Sequence, residues 1–318
     1  MGIKHVVSVS GGKDSAATLI LALENCARED VIPIFCDTGN EHEHVHAYLT
    51  YLEQALDIKI HRLKADFTEQ IASKRLFVAR DQRIGRDKFG RKIRWSNKAK
   101  RRALSVLQPT GNPFLDLCIW KGRFPSRMAQ FCTQELKRDV AVLYQLDLIE
   151  QGHSVLSWQG VRRDESPNRR HALRVEKIGP KMRVFRPIVD WTASDVFAYC
   201  AARGVQPNPL YLQGMTRVGC MPCINVGKQE MRQIAERFPD HIERIAQWER
   251  IVGAASKRGF STFKGDAHEG KDNRKVSADL NIWQRVEWSK TTHGGRQFDL
   301  FVGLSEPTAC ASAYGLCG

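Results

Sequence analysis

Ser10-Gly11-Gly12-Lys13-Asp14-Ser15 sets two adjacent glycines, a cation, a carboxylate and two hydroxyls in six consecutive positions. Residues without a Cβ let the backbone close on an anion and aim N–H groups at it. The apolar run around Val6, Val7 and Val9 precedes the hexapeptide, and Ala16–Leu23 follows it as an apolar helical stretch. The motif therefore sits at a strand-to-helix turn, where the helix N-terminus adds the positive end of its dipole. The chemistry this predicts is phosphate binding. The spacing is not the G-x-x-x-x-G-K-[ST] of the common phosphate loop, which excludes that class of nucleotide hydrolase.

A second apolar run, Val31–Cys36, reads as a strand buried on both faces and ends in Asp37-Thr38-Gly39-Asn40-Glu41. Ligands of open α/β sheets gather at the carboxyl ends of strands, and both motifs fall there. His42, His44 and His46 follow at once. They suit either a metal or the polar face of a helix start. Cys220-Met221-Pro222-Cys223 is a C-x-x-C. Cys26, Cys36, Cys118 and Cys200 lie in apolar surroundings and read as small core residues. Trp248, Trp283 and Trp288 read as packing residues.

The elements that must carry these motifs alternate strand and helix through the N-terminal half, predicting an α/β fold with a doubly wound, mostly parallel sheet. Helices are expected over residues 42–56, 139–151 and 193–203. Strands are expected at 59–63, 154–158 and 184–188. Residues 228–256 read as a long helical tract broken near Pro239, and 258–296 as an irregular, glycine-rich, charged arm. The predicted domains are residues 1–212, with a basic insertion at about 75–128, and a cysteine-containing helical and irregular region over 213–318.

Lys and Arg number 49 against 35 Asp and Glu, for a net charge of +14 over 318 residues. From Lys74 to Arg102 there are thirteen Lys or Arg against Asp81 and Asp87, with Phe77, Phe89 and Trp95 interleaved. Cations for a phosphodiester backbone and rings for bases predict an RNA or DNA partner. The competing reading is a solvated loop or a collar that attracts ATP. No run approaches the roughly 18 apolar residues of a membrane helix, so no membrane partner is expected. The N-terminus enters a strand without a signal sequence, and nine cysteines are then expected to be reduced thiols or metal ligands in the cytoplasm.

The S-G-G-x-D-S loop resembles the pyrophosphate loop of the N-type ATP pyrophosphatases, the adenine nucleotide α-hydrolase superfamily with a Rossmann-like fold. The longer series resembles its phosphoadenylyl-sulfate reductase branch. That series comprises Asp37-Thr38-Gly39, Phe131–Lys137, Gly160-Val161-Arg162-Arg163-Asp164-Glu165-Ser166 with Arg169, Arg186–Thr192, Asn208–Tyr211 and Cys220–Cys223. The resemblance implies ATP as ligand, with Ser10, Gly11, Gly12 and Ser15 on the phosphates, Lys13 neutralising charge and Asp14 helping to hold Mg²⁺. Asp37, Thr38 and Gly39 would lie on the adenosine side, and Gly160, Arg162 and Arg169 would meet a second anion. Asp164 and Glu165 suit either Mg²⁺ or pairing with Arg162 and Arg163. Some relatives carry a [4Fe–4S] cluster, which would here use Cys132, Cys220, Cys223 and either Cys310 or Cys317. Phe131 stands where relatives have a paired cysteine, which leaves three matched ligands, and zinc, which four cysteines also suit, and metal-free thiols compete with the cluster reading.

Reductases of the family end in a glutamate-cysteine-glycine-leucine-histidine tail. This chain ends Tyr314-Gly315-Leu316-Cys317-Gly318, with the cysteine offset. The expected activity is therefore ATP cleavage to AMP and pyrophosphate, catalysed through Lys13, Asp14 and Arg162. Similar members work in nucleic-acid systems, including sulfur modification and type IV-B CRISPR loci, so a sulfur-donor protein or such a complex is an implied partner. A reductase making sulfite and a nucleotide-gated RNA- or DNA-binding module are the alternatives.

Overall fold

The structure, a computed structural model, describes residues 2–263, 280–292 and 297–298. Among these, two compact units divide the chain: one runs to Lys64 and resumes over Glu135–Cys220, and the other comprises Ala65–Gln134 and the described residues from Met221 onward.

The first unit is a six-stranded sheet. Its strands are β1 (Ile3–Ser8), β2 (Val31–Asp37), β3 (His61–Lys64), β4 (Ser154–Trp158), β5 (Val175–Lys177) and β6 (Met182–Phe185), in spatial order β3-β2-β1-β4-β6-β5. All neighbours are parallel except β5 and β6. β1 lies between β2 and β4, with His5 opposite Val31 on one side and Leu156 on the other. A strand paired on both sides can leave water only if its side chains are apolar on both faces, and Val6 and Val7 are fully buried. Val6, Ile34 and Val155 pack with Leu148 of helix α7 (Asp139–Glu150). Helix α1 (Lys13–Asn25) packs against β1 and against α8 (Ala193–Ala201), which begins in a Thr192–Asp195 capping box.

The predicted strand at 184–188 instead lies at Met182–Phe185. Pro187 has no N–H for the ladder, so the chain turns there while Ile188 and Val189 remain buried. Helix α2 (Glu43–Leu56) starts one residue later than predicted, because His42 is its N-cap: the ring Nδ1 accepts from His44 N at 3.0 Å. The outer strands are short and charged: His61-Arg62-Leu63-Lys64 at one margin and Val175-Glu176-Lys177 at the other.

The second unit is helical. It contains α3 (Thr68–Arg80), α4 (Asn97–Leu104), α5 (Pro113–Lys121), α9 (Lys228–Arg237), α10 (Pro239–Ala255) and α11 (Ile282–Ser289). Between them, the helix of Phe131–Thr133 (α6) widens into a π turn over Gln134–Arg138 before α7. The break predicted near Pro239 is present, with Pro239 at the first position of α10. α10 packs against α4, α5, α9 and α11. Phe114 stacks on Trp248 at 5.6 Å, and Phe124 meets Phe263 edge-on at 5.5 Å.

The basic segment therefore groups with the C-terminal helices rather than with the sheet. Ala99 and Ala103 bury one side of α4, and α4 packs on both α3 and α10. Several of its cations serve helix ends. Arg75 donates to Leu104 O at 2.5 Å, Lys100 to Ala79 O at 3.3 Å, and Arg102 to Ser256 O at 2.9 Å. Terminal carbonyls without helical partners are thereby satisfied by positive charge. α11 falls in the stretch predicted to be irregular. Asn281 caps it, and Ile282 and Val286, four apart, are buried. Trp248 is buried as predicted, whereas Trp283 is 45% exposed.

Glu249 of α10 ties this unit together. Oε1 accepts from Phe263 N at 2.7 Å and Oε2 from Ile282 N at 2.9 Å. Burial pushes its carboxyl up to about 7, against the pull of those two donors. Between the usual carboxyl range and about 7 the folded chain holds a proton that the unfolded chain has lost. This group's contribution to stability is present at low pH and falls as pH rises through that window. Glu249→Gln keeps the size but offers one oxygen to two N–H donors. It is expected to cost about 1–3 kcal/mol, read as a lower denaturant midpoint, with a flatter pH dependence between 5 and 7.

Candidate nucleotide-binding site

The loop from Ser10 to Ser15 leaves β1 beside the point where the strand order reverses, with β2 on one side and β4 on the other. Strand order of this kind opens a crevice at the carboxyl ends. Gly11 takes φ +74°, and a Cβ there would stand 2.9 Å from Val45 Cγ1. Ser15 Oγ braces the turn, accepting from Ser10 N at 3.1 Å and donating to Gly12 O at 2.9 Å. Asn208, fully buried, donates from Nδ2 to Gly11 O at 3.1 Å, and its own Oδ1 accepts from Leu210 N. The Tyr211 hydroxyl accepts from Lys13 N at 3.0 Å and lies over Gly12. The Asn208-Pro209 turn was a visible signal, but nothing in the sequence assigned its side chains to this loop.

Lys13 is buried, with Nζ 3.0 Å from Asp14 Oδ2 and 5.6 Å from the centre of the Tyr211 ring. Arg162 is 3% exposed, and its Nε donates to Asp14 Oδ1 at 2.5 Å. Its Nη1 also meets Asp164. Burial alone would lower the Arg162 pKa, but Asp14 and Asp164 outweigh it and the value is raised. Gly160 brings the loop after β4 against the first turn of α1, where a Cβ would fall 2.7 Å from the Asp14 carbonyl. The structure thus joins Gly160 and Arg162 to the hexapeptide. Arg169 pairs instead with Glu165, and Arg163 with Asp190.

After β2, Gly39 takes φ +74° and donates to Asp37 Oδ1 at 2.8 Å. Thr38 donates from N and Oγ1 to the buried Glu41 carboxylate, at 3.1 and 2.7 Å. Cys220 Sγ lies 3.3 Å from Thr38 Oγ1 and 3.6 Å from Glu41 Oε1. Asp37, Glu41 and His46 bring one ligand atom each within 4.8 Å of one another.

Two cation seats can be compared. Both Asp14 oxygens face cations, so a dication does not fit there as the side chains stand. Asp37, Glu41 and His46 supply the oxygen and imidazole donors that a divalent transition ion accepts.

Burial pushes the Cys36 thiol up to about 11 and Cys200 up to about 12, and also raises the buried Cys118, which leaves all three thiols protonated and unreactive. Cys132 and Cys223 belong to the second unit and Cys220 to the first. Cys310 and Cys317 lie outside the described residues.

Residues 4–226 match the phosphoadenosine phosphosulfate reductase domain family. The chain is 44% identical over 324 residues to an uncharacterized 37.8 kDa protein in the gpa 5'region of Escherichia phage 186, covering 98% of this chain and 96% of that protein. It is 35% identical over 102 residues to the adenosine 5'-phosphosulfate reductase of Geobacillus kaustophilus, covering 30% of this chain and 43% of the enzyme. Among solved structures, the phosphoadenylyl-sulfate reductase of Candida auris in a phosphate complex aligns with a TM-score of 0.40 and 16% identity, over 68% of this chain and 81% of that one.

Proposed function

The chain belongs to the phosphoadenosine phosphosulfate reductase domain family, and from that premise we propose that it is an ATP α-pyrophosphatase, cleaving ATP to AMP and pyrophosphate in a nucleic-acid-associated process. One observation carries the reading. A carboxylate, Asp14, is clamped between Lys13 and the buried Arg162 beside a glycine turn at the strand-order reversal.

The glycine turn and the start of α1 supply backbone donors and the dipole for the outer phosphates. Lys13 Nζ neutralises charge as it builds on the departing pyrophosphate, a stabilisation strongest where water is excluded. Arg162 holds Asp14 in place beside the glycine turn. Asp37 ends β2, Thr38 and Gly39 follow it, and the three would border the nucleoside. A divalent cation bound at Asp37, Glu41 and His46 would supply further neutralisation of phosphate charge.

A sulfur-modification role would add a sulfur-donor protein or a modification or CRISPR complex as partner. A cluster would require Cys132, Cys220, Cys223 and either Cys310 or Cys317 as ligands. Iron counted per chain after anaerobic purification reads that requirement. Among the described residues no helix is long and apolar enough to cross a membrane, and the reading places the work in the cytoplasm.

The test is purified protein with α-labelled ATP and a divalent cation. AMP with stoichiometric pyrophosphate is expected. ADP, no product, or thioredoxin-dependent sulfite from phosphoadenylyl sulfate in its place would overturn the assignment.

A further inference from the structure

We propose that the helical second unit carries a separate site for single-stranded nucleic acid, in an open cavity of about 1030 Å³ bordered by α3, α5 and the residues that follow α10. The inference deepens the nucleic-acid part of the function above and stands apart from ATP cleavage. Five cations line the cavity, Lys74, Lys121, Arg123, Lys257 and Arg258, against one carboxylate, Glu69. The linear basic segment supplies only the first of them. The others come from the end of α5 and the chain beyond α10, so folding concentrates charge that the sequence keeps apart.

Two of these cations are held by carbonyls rather than carboxylates. Lys74 Nζ donates to Ile119 O at 2.8 Å, and Lys257 Nζ to Ile93 O at 2.5 Å. A carbonyl fixes an ammonium group without cancelling its charge, which stays available to an incoming anion. Burial lowers the Lys74 amine to about 8, and among the described residues no carboxylate pairs with it. Such an amine gains most from a phosphate.

The rings decide between strand and duplex. Phe77 of α3 lines the cavity and is 47% exposed, with the Arg83 guanidinium 4.8 Å from the ring centre. Trp120 is stacked on Phe67 at 5.7 Å and covered by Lys121 Nζ at 3.6 Å, so it stiffens the wall. An exposed ring among cations fits an unpaired base with its phosphates alongside. Bases inside a duplex are already stacked and cannot reach into a concavity. A small anion would use the cations and leave the ring uncovered.

The experiment uses the full chain and fluorescence anisotropy with labelled fifteen-nucleotide dT and rU strands across a salt series. Binding of at least one of them is expected. Arg123→Ala with Arg258→Ala should weaken it at least tenfold and flatten the log–log salt slope by about 1.4, at about 0.7 per phosphate contact. Phe77→Ala should weaken it about tenfold with the slope unchanged. Lys88→Ala with Arg94→Ala, outside the cavity, should do less than the Arg123 and Arg258 pair. Thermal melts check that these surface variants fold, and 5-iodouracil crosslinking to Phe77 reads the contact without any substitution.

Equal affinity for a duplex, for heparin or for polyglutamate would overturn the proposal, as would Phe77→Ala binding like the parent chain. No step depends on ATP cleavage. A chain that binds the strands but leaves ATP intact refutes the enzymatic reading alone, and the converse refutes this one alone.

Discussion

Asp14→Asn is expected to lower the rate of AMP formation by about 10²–10³-fold, the scale of removing one preorganised charged group from a reaction centre. The substitution keeps the shape and removes the charge that holds both Lys13 Nζ, at 3.0 Å, and Arg162 Nε, at 2.5 Å. Each cation then loses its fixed direction. Arg162 retains Asp164, so its burial is not left wholly uncompensated and the fold should survive. The clearest readout is single-turnover AMP release beside ATP affinity measured separately. A positioning role for Asp14 lowers the rate more than the affinity. Activity within tenfold of the parent chain would move the reaction centre away from this loop.

Gly160→Ala should be nearly as damaging, for steric rather than electrostatic reasons. The added methyl group would lie 2.7 Å from both C and O of Asp14 and 3.0 Å from Ser15 N. Those are backbone atoms in the first turn of α1, not the flexible end of a side chain, so one of the two loops must retreat. Forced overpacking costs about 1–3 kcal/mol. Retreat also opens the Arg162–Asp14 pair, since Arg162 stands two residues from Gly160 on the moving loop. ATP affinity is expected to fall at least tenfold together with the denaturant midpoint. Gly179→Ala is the matched control, because nothing lies within 4 Å of a Cβ there. If Gly160→Ala melts and binds like that control, the close approach is not what holds the crevice.

The sheet and the glycine turn before α1 were legible in the sequence because their signals are local. Val6, Val7 and Val31–Cys36 announce strands buried on both faces, and two glycines before an apolar helix announce a tight strand-to-helix turn. The helix break at Pro239 was local in the same way. The role of Asn208 and Tyr211 was not, since their contacts to Gly11 O and Lys13 N span nearly two hundred residues. The pairing of Arg162 with Asp14 was hidden for the same reason.

The charge of residues 74–102 was legible, but its destination was not. Composition cannot tell an arginine that meets a phosphate from one, such as Arg102, that closes a helix end. The helix at Ile282–Ser289 was masked by the glycine-rich chain before it, although Asn281 and the Ile282–Val286 spacing carried its signal.

The margins of the sheet have a consequence for how the protein behaves when abundant. Both outermost strands are three or four residues long and carry charge, at His61-Arg62-Leu63-Lys64 and Val175-Glu176-Lys177. Neither offers the long, flat, uncharged ribbon on which another copy could extend hydrogen bonding. Fibril growth from either of these two margins is therefore disfavoured.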